Sequence, residues 1–120
     1  MTRRIIAPSG HAPSASPLSA GVVAGQLVFV SGQTASDVVG VEGQTRNVLN
    51  KVGAVLRAAG ADYADVVRCG VYLRDIEDFA AMNVVYRSFF PTDPPARTTI
   101  ECKLAHPDVL VEIDCVANVS

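Results

Sequence analysis

From Val109 onward, apolar and polar positions alternate: Val109, Val111, Ile113, Cys115 and Ala117 oppose Leu110, Glu112 and Asp114. A period of two marks a strand with one face on a core. The same alternation runs through Pro94–Leu104, where Thr98, Ile100, Cys102 and Leu104 form the more apolar set and Arg97, Thr99, Glu101 and Lys103 the polar one. A break at His106-Pro107-Asp108 separates the two arms, so they read as an antiparallel hairpin. A slip of one residue would turn a whole apolar set into water, which puts both sets on one core and Arg97 with Glu112 on the opposite face.

Earlier in the chain, Arg3 to Ile6 reads as a short strand and Pro8 to Pro17 as a loop. Gly21–Ala24 and Leu27–Ser31 flank Gly25-Gln26, a Gly-X turn suited to a hairpin. Leu27 to Val30 is apolar on both faces, which implies that a second subunit covers the face the helices leave open. Thr45, Val48, Leu49, Val52, Leu56 and Ala59 recur at helical spacing over about Val41 to Ala59, with Gly60 placed to end the helix and Glu42 four residues before Arg46. Asp65 to Leu73 follows as a strand with Val67, Cys69, Val71 and Leu73 on one face. A second helix, about Phe79 to Phe90, is capped by Asp75 or Asp78 and carries the stripe Phe79, Met82, Tyr86 and Phe89. Asn83 falls inside that stripe, where a half-buried amide must find partners. The order of elements predicts one α+β domain over residues 1–120, a mixed sheet with both helices on one side.

Composition narrows the function classes. The chain has 120 residues, of which 49% are hydrophobic and 18% charged, with a formal net charge of -2. Such a chain buries roughly two-thirds of its unfolded surface. The scattered Lys and Arg residues exclude a nucleic-acid surface built on charge, and no apolar run approaches the roughly 20 residues of a membrane span. Cys69, Cys102 and Cys115 lack metal-ligand spacing and read as reduced packing residues, consistent with the cytoplasm. His11 in a Pro/Ser-rich loop and His106 beside Pro107 are the two histidines, and neither completes a nucleophilic triad.

Four sets of residues remain as candidates for chemistry. Arg97 offers a planar fork for a carboxylate, with Thr99 on its own face; its bland alternative is a surface pair with Glu101 or Asp114. Glu112, if partly buried under a second subunit, has a raised pKa and serves as an acid or water-orienting base, with Asp114 as the competing assignment. Ser31-Gly32 reads either as a strand-ending turn or as a place where a ligand approaches the backbone. Asn83 is either a satisfied core amide or a site residue.

Ser31-Gly32-Gln33, Gln44-Thr45-Arg46-Asn47-Val48-Leu49, Asp78 to Tyr86, Pro95-Ala96-Arg97-Thr98-Thr99 and Val111-Glu112-Ile113 together resemble the RidA/YjgF family of reactive-intermediate deaminases, from about Pro17 to the C-terminus. The resemblance implies a chorismate-mutase-like fold and a homotrimer with small-molecule clefts between subunits. It also implies hydrolysis of enamines and imines such as 2-aminoacrylate and 2-iminopropanoate to a 2-keto acid and ammonia, with no metal or cofactor. On the matching positions, Arg97 would bind the substrate carboxylate, Glu112 would handle the proton and the attacking water, and Ser31, Gly32, Asn83 and Thr99 would line the pocket.

Two departures bear on substrate choice. Ser16-Pro17-Leu18-Ser19 stands where many deaminase members have Gly-Pro-Tyr-Ser, so Leu18 replaces a pocket aromatic, and the stretch between Gly32 and Gln44 is short. The expected result is altered substrate choice or weak activity on small imino acids, with the Arg97 carboxylate site retained and the substrate an imino or keto carboxylate that extends to a larger one such as an aminomuconate. The alternative reading is a non-catalytic module that binds small carboxylates or a protein partner through the same clefts.

Overall fold

The computed structural model describes residues 2–8 and 15–119, and His11 lies outside them. Its elements in chain order are β1 (Arg4–Ile6), β2 (Gly21–Ala24), β3 (Leu27–Gln33), α1 (Val41–Ala58), β4 (Val66–Leu73), α2 (Phe79–Phe89), β5 (Ala96–Glu101) and β6 (Val111–Asn118). Short 3-10 turns at Tyr63–Asp65 and Ile76–Asp78 precede β4 and α2. The six strands form one mixed sheet in the order β1-β2-β3-β6-β4-β5, antiparallel throughout except for the parallel pair β4/β5. Both helices lie on one face, so the α+β class is observed.

The core follows the alternation read from the sequence. Val28 and Val30 of β3, Cys69, Val71 and Leu73 of β4, and Val111, Ile113, Cys115 and Ala117 of β6 are buried against Val48, Leu49, Val52, Leu56 and Met82. At helical spacing Val48, Leu49, Val52 and Leu56 cover one continuous stripe of α1, and Met82 comes from α2. Gly60, with φ of 85°, ends that helix in the left-handed region where a side chain would be strained. The second helix opens through a 3-10 turn that Asp75 caps by accepting from the Glu77 N–H, while Asp78 makes no side-chain cap. Glu42 and Arg46 do not pair: the ion pair among the described residues is Arg57–Asp62.

Three local expectations change. The Pro94–Glu112 arms are not a hairpin, because β5 pairs in parallel with β4 (Cys69 opposite Arg97, Val71 opposite Thr99) and β6 lies on the other side of β4. The crossover through α2 returns the chain beside the start of β4, and the segment after β5 then folds over the end of that strand. Arg74 pins it there, donating from Nε to the Val109 carbonyl (2.8 Å) and from Nη2 to that of His106 (2.7 Å). Val67, expected in the core, is instead exposed, because a bulge between Val66 and Arg68 puts Val66 on the core face in its place. Finally, β3 does not end at Ser31: it runs on to Gln33 through a second bulge, in which Ser31 and Gly32 together oppose Asp114.

The face away from the helices is open. Leu27 (40% exposed), Phe29 (43%) and Ile100 (45%) lie on it, an apolar surface that the described residues leave uncovered.

Candidate functional site

Arg97 stands on the edge strand β5, on the face that meets α2. Its Nη1 donates to Asn83 Oδ1 at 2.8 Å, and its guanidinium lies over the Tyr86 ring (4.7 Å to the centroid) and near the Phe79 ring (5.5 Å). The spacing Phe79, Asn83, Tyr86 places all three on one side of the helix, so the fork is held by one hydrogen bond and two π faces. No carboxylate among the described residues pairs with it, and the alternative of a surface pair with Glu101 or Asp114 does not occur. Glu101 instead accepts from the Ile76 N–H.

Phe79 and Tyr86, read from the sequence as packing residues, thus orient the cation. Burial, and then the adjacent Cys69 thiol, raise the Tyr86 phenol well above its ordinary pKa, so it stays protonated. The Tyr86 hydroxyl and that of Thr99 are both buried and find no hydrogen-bond partner among the described residues. A cavity of about 360 Å³ opens beside Arg97, walled by Asn83, Tyr86, Phe90, Pro94 and Pro95.

A second cluster forms at the bulge of β3. The Ser31 hydroxyl donates to the Ser19 carbonyl at 2.5 Å and the Ser31 N–H to that of Ala20 at 2.9 Å, which fixes the segment carrying Leu18, itself 55% exposed, alongside β3. The Glu112 carboxyl lies over Gly32 so closely that a Cβ there would overlap its Oε2. Only glycine leaves that room. Burial first, and then the Asp114 charge, raise the Glu112 pKa above the usual carboxylate value, so its proton is held more tightly than in water.

Asp114, the competing acid, is already occupied. Its Oδ1 accepts from the Gly70 N–H at 3.1 Å and its Oδ2 from the Tyr72 hydroxyl at 2.9 Å. Both of its oxygens thus act as structural acceptors that tie β6 to β4. Glu112 has no such partners among the described residues.

Arg97 and Glu112 do not share a face. Arg97 is in register with Cys69 and Cys115, whose side chains point to the helices, whereas Glu112 is in register with Tyr72 on the open side. Alternation ties each residue only to its own strand, and the parity between strands depends on the pairing, which the supposed hairpin had wrong. One chain therefore carries two separate clusters: Arg97, Asn83 and Thr99 at the α2/β5 edge, and Leu18, Ser31, Gly32 and Glu112 on the open face. Among the described residues no group of three His, Cys, Asp or Glu side chains is arranged to hold a metal ion, and no helix is long and apolar enough to cross a membrane.

With this geometry in view, a sequence profile described as Endoribonuclease L-PSP matches residues 9–119. The chain belongs to that family, also called YjgF/RidA. Solved YjgF/RidA structures superpose over nearly the whole chain. A YjgF-family protein from Neisseria meningitidis is 33% identical with a TM-score of 0.89, the match covering 100% of this chain and 97% of that one. A member of the YjgF/YER057c/UK114 family from Mycobacterium tuberculosis is 34% identical, at 98% and 100% coverage and a TM-score of 0.86. Escherichia coli TdcF, solved with bound serine, is 31% identical, at 98% and 99% coverage and a TM-score of 0.90.

Proposed function

We propose that this YjgF/RidA chain is a cofactor-independent enamine/imine deaminase that hydrolyses carboxylate-bearing imines to 2-keto acids and ammonia, working as a cytoplasmic homotrimer. The observation that carries the reading is Arg97: a guanidinium without an acid partner among the described residues, held by Asn83 and two rings beside a small cavity. A fork fixed in this way suits bidentate binding of a carboxylate. The serine bound to E. coli TdcF is a small molecule of that class.

Since Arg97 and Glu112 occupy opposite faces, one substrate meets both only where two chains join. The α2/β5 edge of one protomer would dock on the open face of the next, where Leu27, Phe29 and Ile100 supply apolar surface to bury. Arg97, Asn83 and Thr99 of one chain would then face Ser31, Gly32, Leu18 and Glu112 of its neighbour. Water is excluded from such a cleft, and every charge interaction in it gains strength.

The reaction needs little machinery. With 2-aminoacrylate held by its carboxylate, protonated Glu112 gives its proton to C3, which converts the enamine to an iminium. The resulting carboxylate takes a proton from water as the oxygen adds to C2. Transfer of the hydroxyl proton to nitrogen through the same carboxyl group lets the carbinolamine release ammonia, leaving the keto acid and protonated Glu112. Imines of this kind hydrolyse unaided, so positioning and one acid/base group worth roughly 10²- to 10⁴-fold suffice.

The test is release of keto acid from enzymatically generated 2-aminoacrylate, with Arg97→Ala alongside. The wild-type protein should accelerate release and the variant should not; equal rates remove Arg97 from the site. Retention of keto acids without turnover by the wild type would indicate the binding-module alternative.

A further inference from the structure

The cavity beside Arg97 contains a second cation. Asn83, Tyr86, Arg87 and Phe90 recur every three or four residues and form one wall of it, and Pro91, Pro94, Pro95 and Arg97 form the other. Two arginines therefore line one hollow of about 360 Å³, and among the described residues no Asp or Glu lines it. Arg87 is exposed, and neither arginine has an acid partner among the described residues. Because Arg97 is anchored at Asn83 and four helical residues advance about 6 Å, Arg87 begins one turn farther along α2. The wall between them is apolar, made of Phe90 and the prolines. Two like charges borne on the walls of one cavity repel, and a ligand with two anionic ends reverses that repulsion.

We propose that Arg87 is a specificity-determining residue that binds the second carboxylate of a dicarboxylic substrate, a 2-imino acid with an acidic side chain. The proposal rests on the reading above that Arg97 takes the carboxylate next to the imine. The apolar wall accommodates the methylene carbons between the two acids, and the cavity volume lies within the range of ordinary small-molecule pockets.

Two product analogues of equal chain length separate the charges. In 2-oxoglutarate the chain ends in a carboxylate, and in 2-oxovalerate it ends in a methyl group. Calorimetry on the intact wild-type protein should find 2-oxoglutarate bound about tenfold more tightly, as expected for an added charge-assisted pair. Arg87→Gln should bring the ratio of the two affinities close to one, and Arg87→Lys should restore part of the preference. Equal affinities in the wild type, or a preference that survives in Arg87→Gln, would overturn the assignment. Arg97→Gln tests the underlying reading separately: loss of both keto acids supports it, whereas binding that persists in this variant removes the Arg97 site itself, whatever Arg87 does.

Discussion

Replacing Gly32 with alanine adds one methyl group at the point where the Glu112 side chain crosses β3. A Cβ built there comes to 3.0 Å from Glu112 Cδ and 3.1 Å from Cγ, and it overlaps Oε2. The backbone at Gly32 is not in the left-handed region, so alanine brings no conformational strain of its own. What must yield is the end of a flexible side chain with no hydrogen-bond partner to hold it. Moving it is cheap: overpacking a rigid core costs about 1–3 kcal/mol, and here a rotamer change holds the loss to under about 1 kcal/mol, a shift in Tm of no more than about 4 °C. The carboxyl group, however, is displaced by more than an ångström, and a misplacement of that size in an acid/base group costs about 10²-fold in rate. Gly32→Ala should therefore lose most of its kcat/KM for 2-aminoacrylate while unfolding at nearly the wild-type temperature. In a Glu112→Gln background the same substitution should change almost nothing, because the group it displaces is already inert. Wild-type turnover in Gly32→Ala, or an equally large further loss in Glu112→Gln, would refute the role given to this contact.

Other consequences are as direct. Gln44 is buried, donates to the carbonyls of Val38 and Asp108 and accepts from the Leu110 N–H, each at 2.9 Å; Gln44→Leu strands all three groups and should lower stability by about 2–4 kcal/mol in urea unfolding. Phe29→Asp puts a charge on the open sheet face, and light scattering should show a monomer with a native circular dichroism spectrum; an unchanged mass would move the interface elsewhere. For Glu112 the raised pKa sets a sign: the folded state binds the proton more tightly than the unfolded one, so this residue's contribution to stability is complete below the ordinary carboxylate pKa and declines as pH rises through the shifted value. Glu112→Gln should flatten that decline in a pH series of thermal unfolding, and an unaltered slope would mean that its carboxyl titrates as it does in water.

Much of the architecture was legible in the chain because each element is strongly periodic. Two-residue alternation located the core face of β6 at Val111, Ile113, Cys115 and Ala117, and the stripe from Thr45 to Ala59 located the buried side of α1. Burial of apolar area acts on each segment locally, so the faces could be read without knowing their neighbours. Asn83 could likewise be recognised as an amide in need of a partner, and the two-sided apolar run Leu27–Val30 as a strand left uncovered. What alternation could not convey was which strand lies beside which. The parallel pairing of β5 with β4 depends on the α2 crossover and on Arg74 holding the segment that follows, contacts between residues about 30 positions apart. That pairing decided that Arg97 turns toward the helices, opposite to the face that the β6 alternation already gave Glu112, and the two bulges decided that Val66 replaces Val67 in the core and that Gly32 lies beneath Glu112. Local patterning thus determined each element and its buried side, whereas the relative placement of the chemical groups was set by long-range pairing, whose energy is shared among distant residues and leaves no periodic trace.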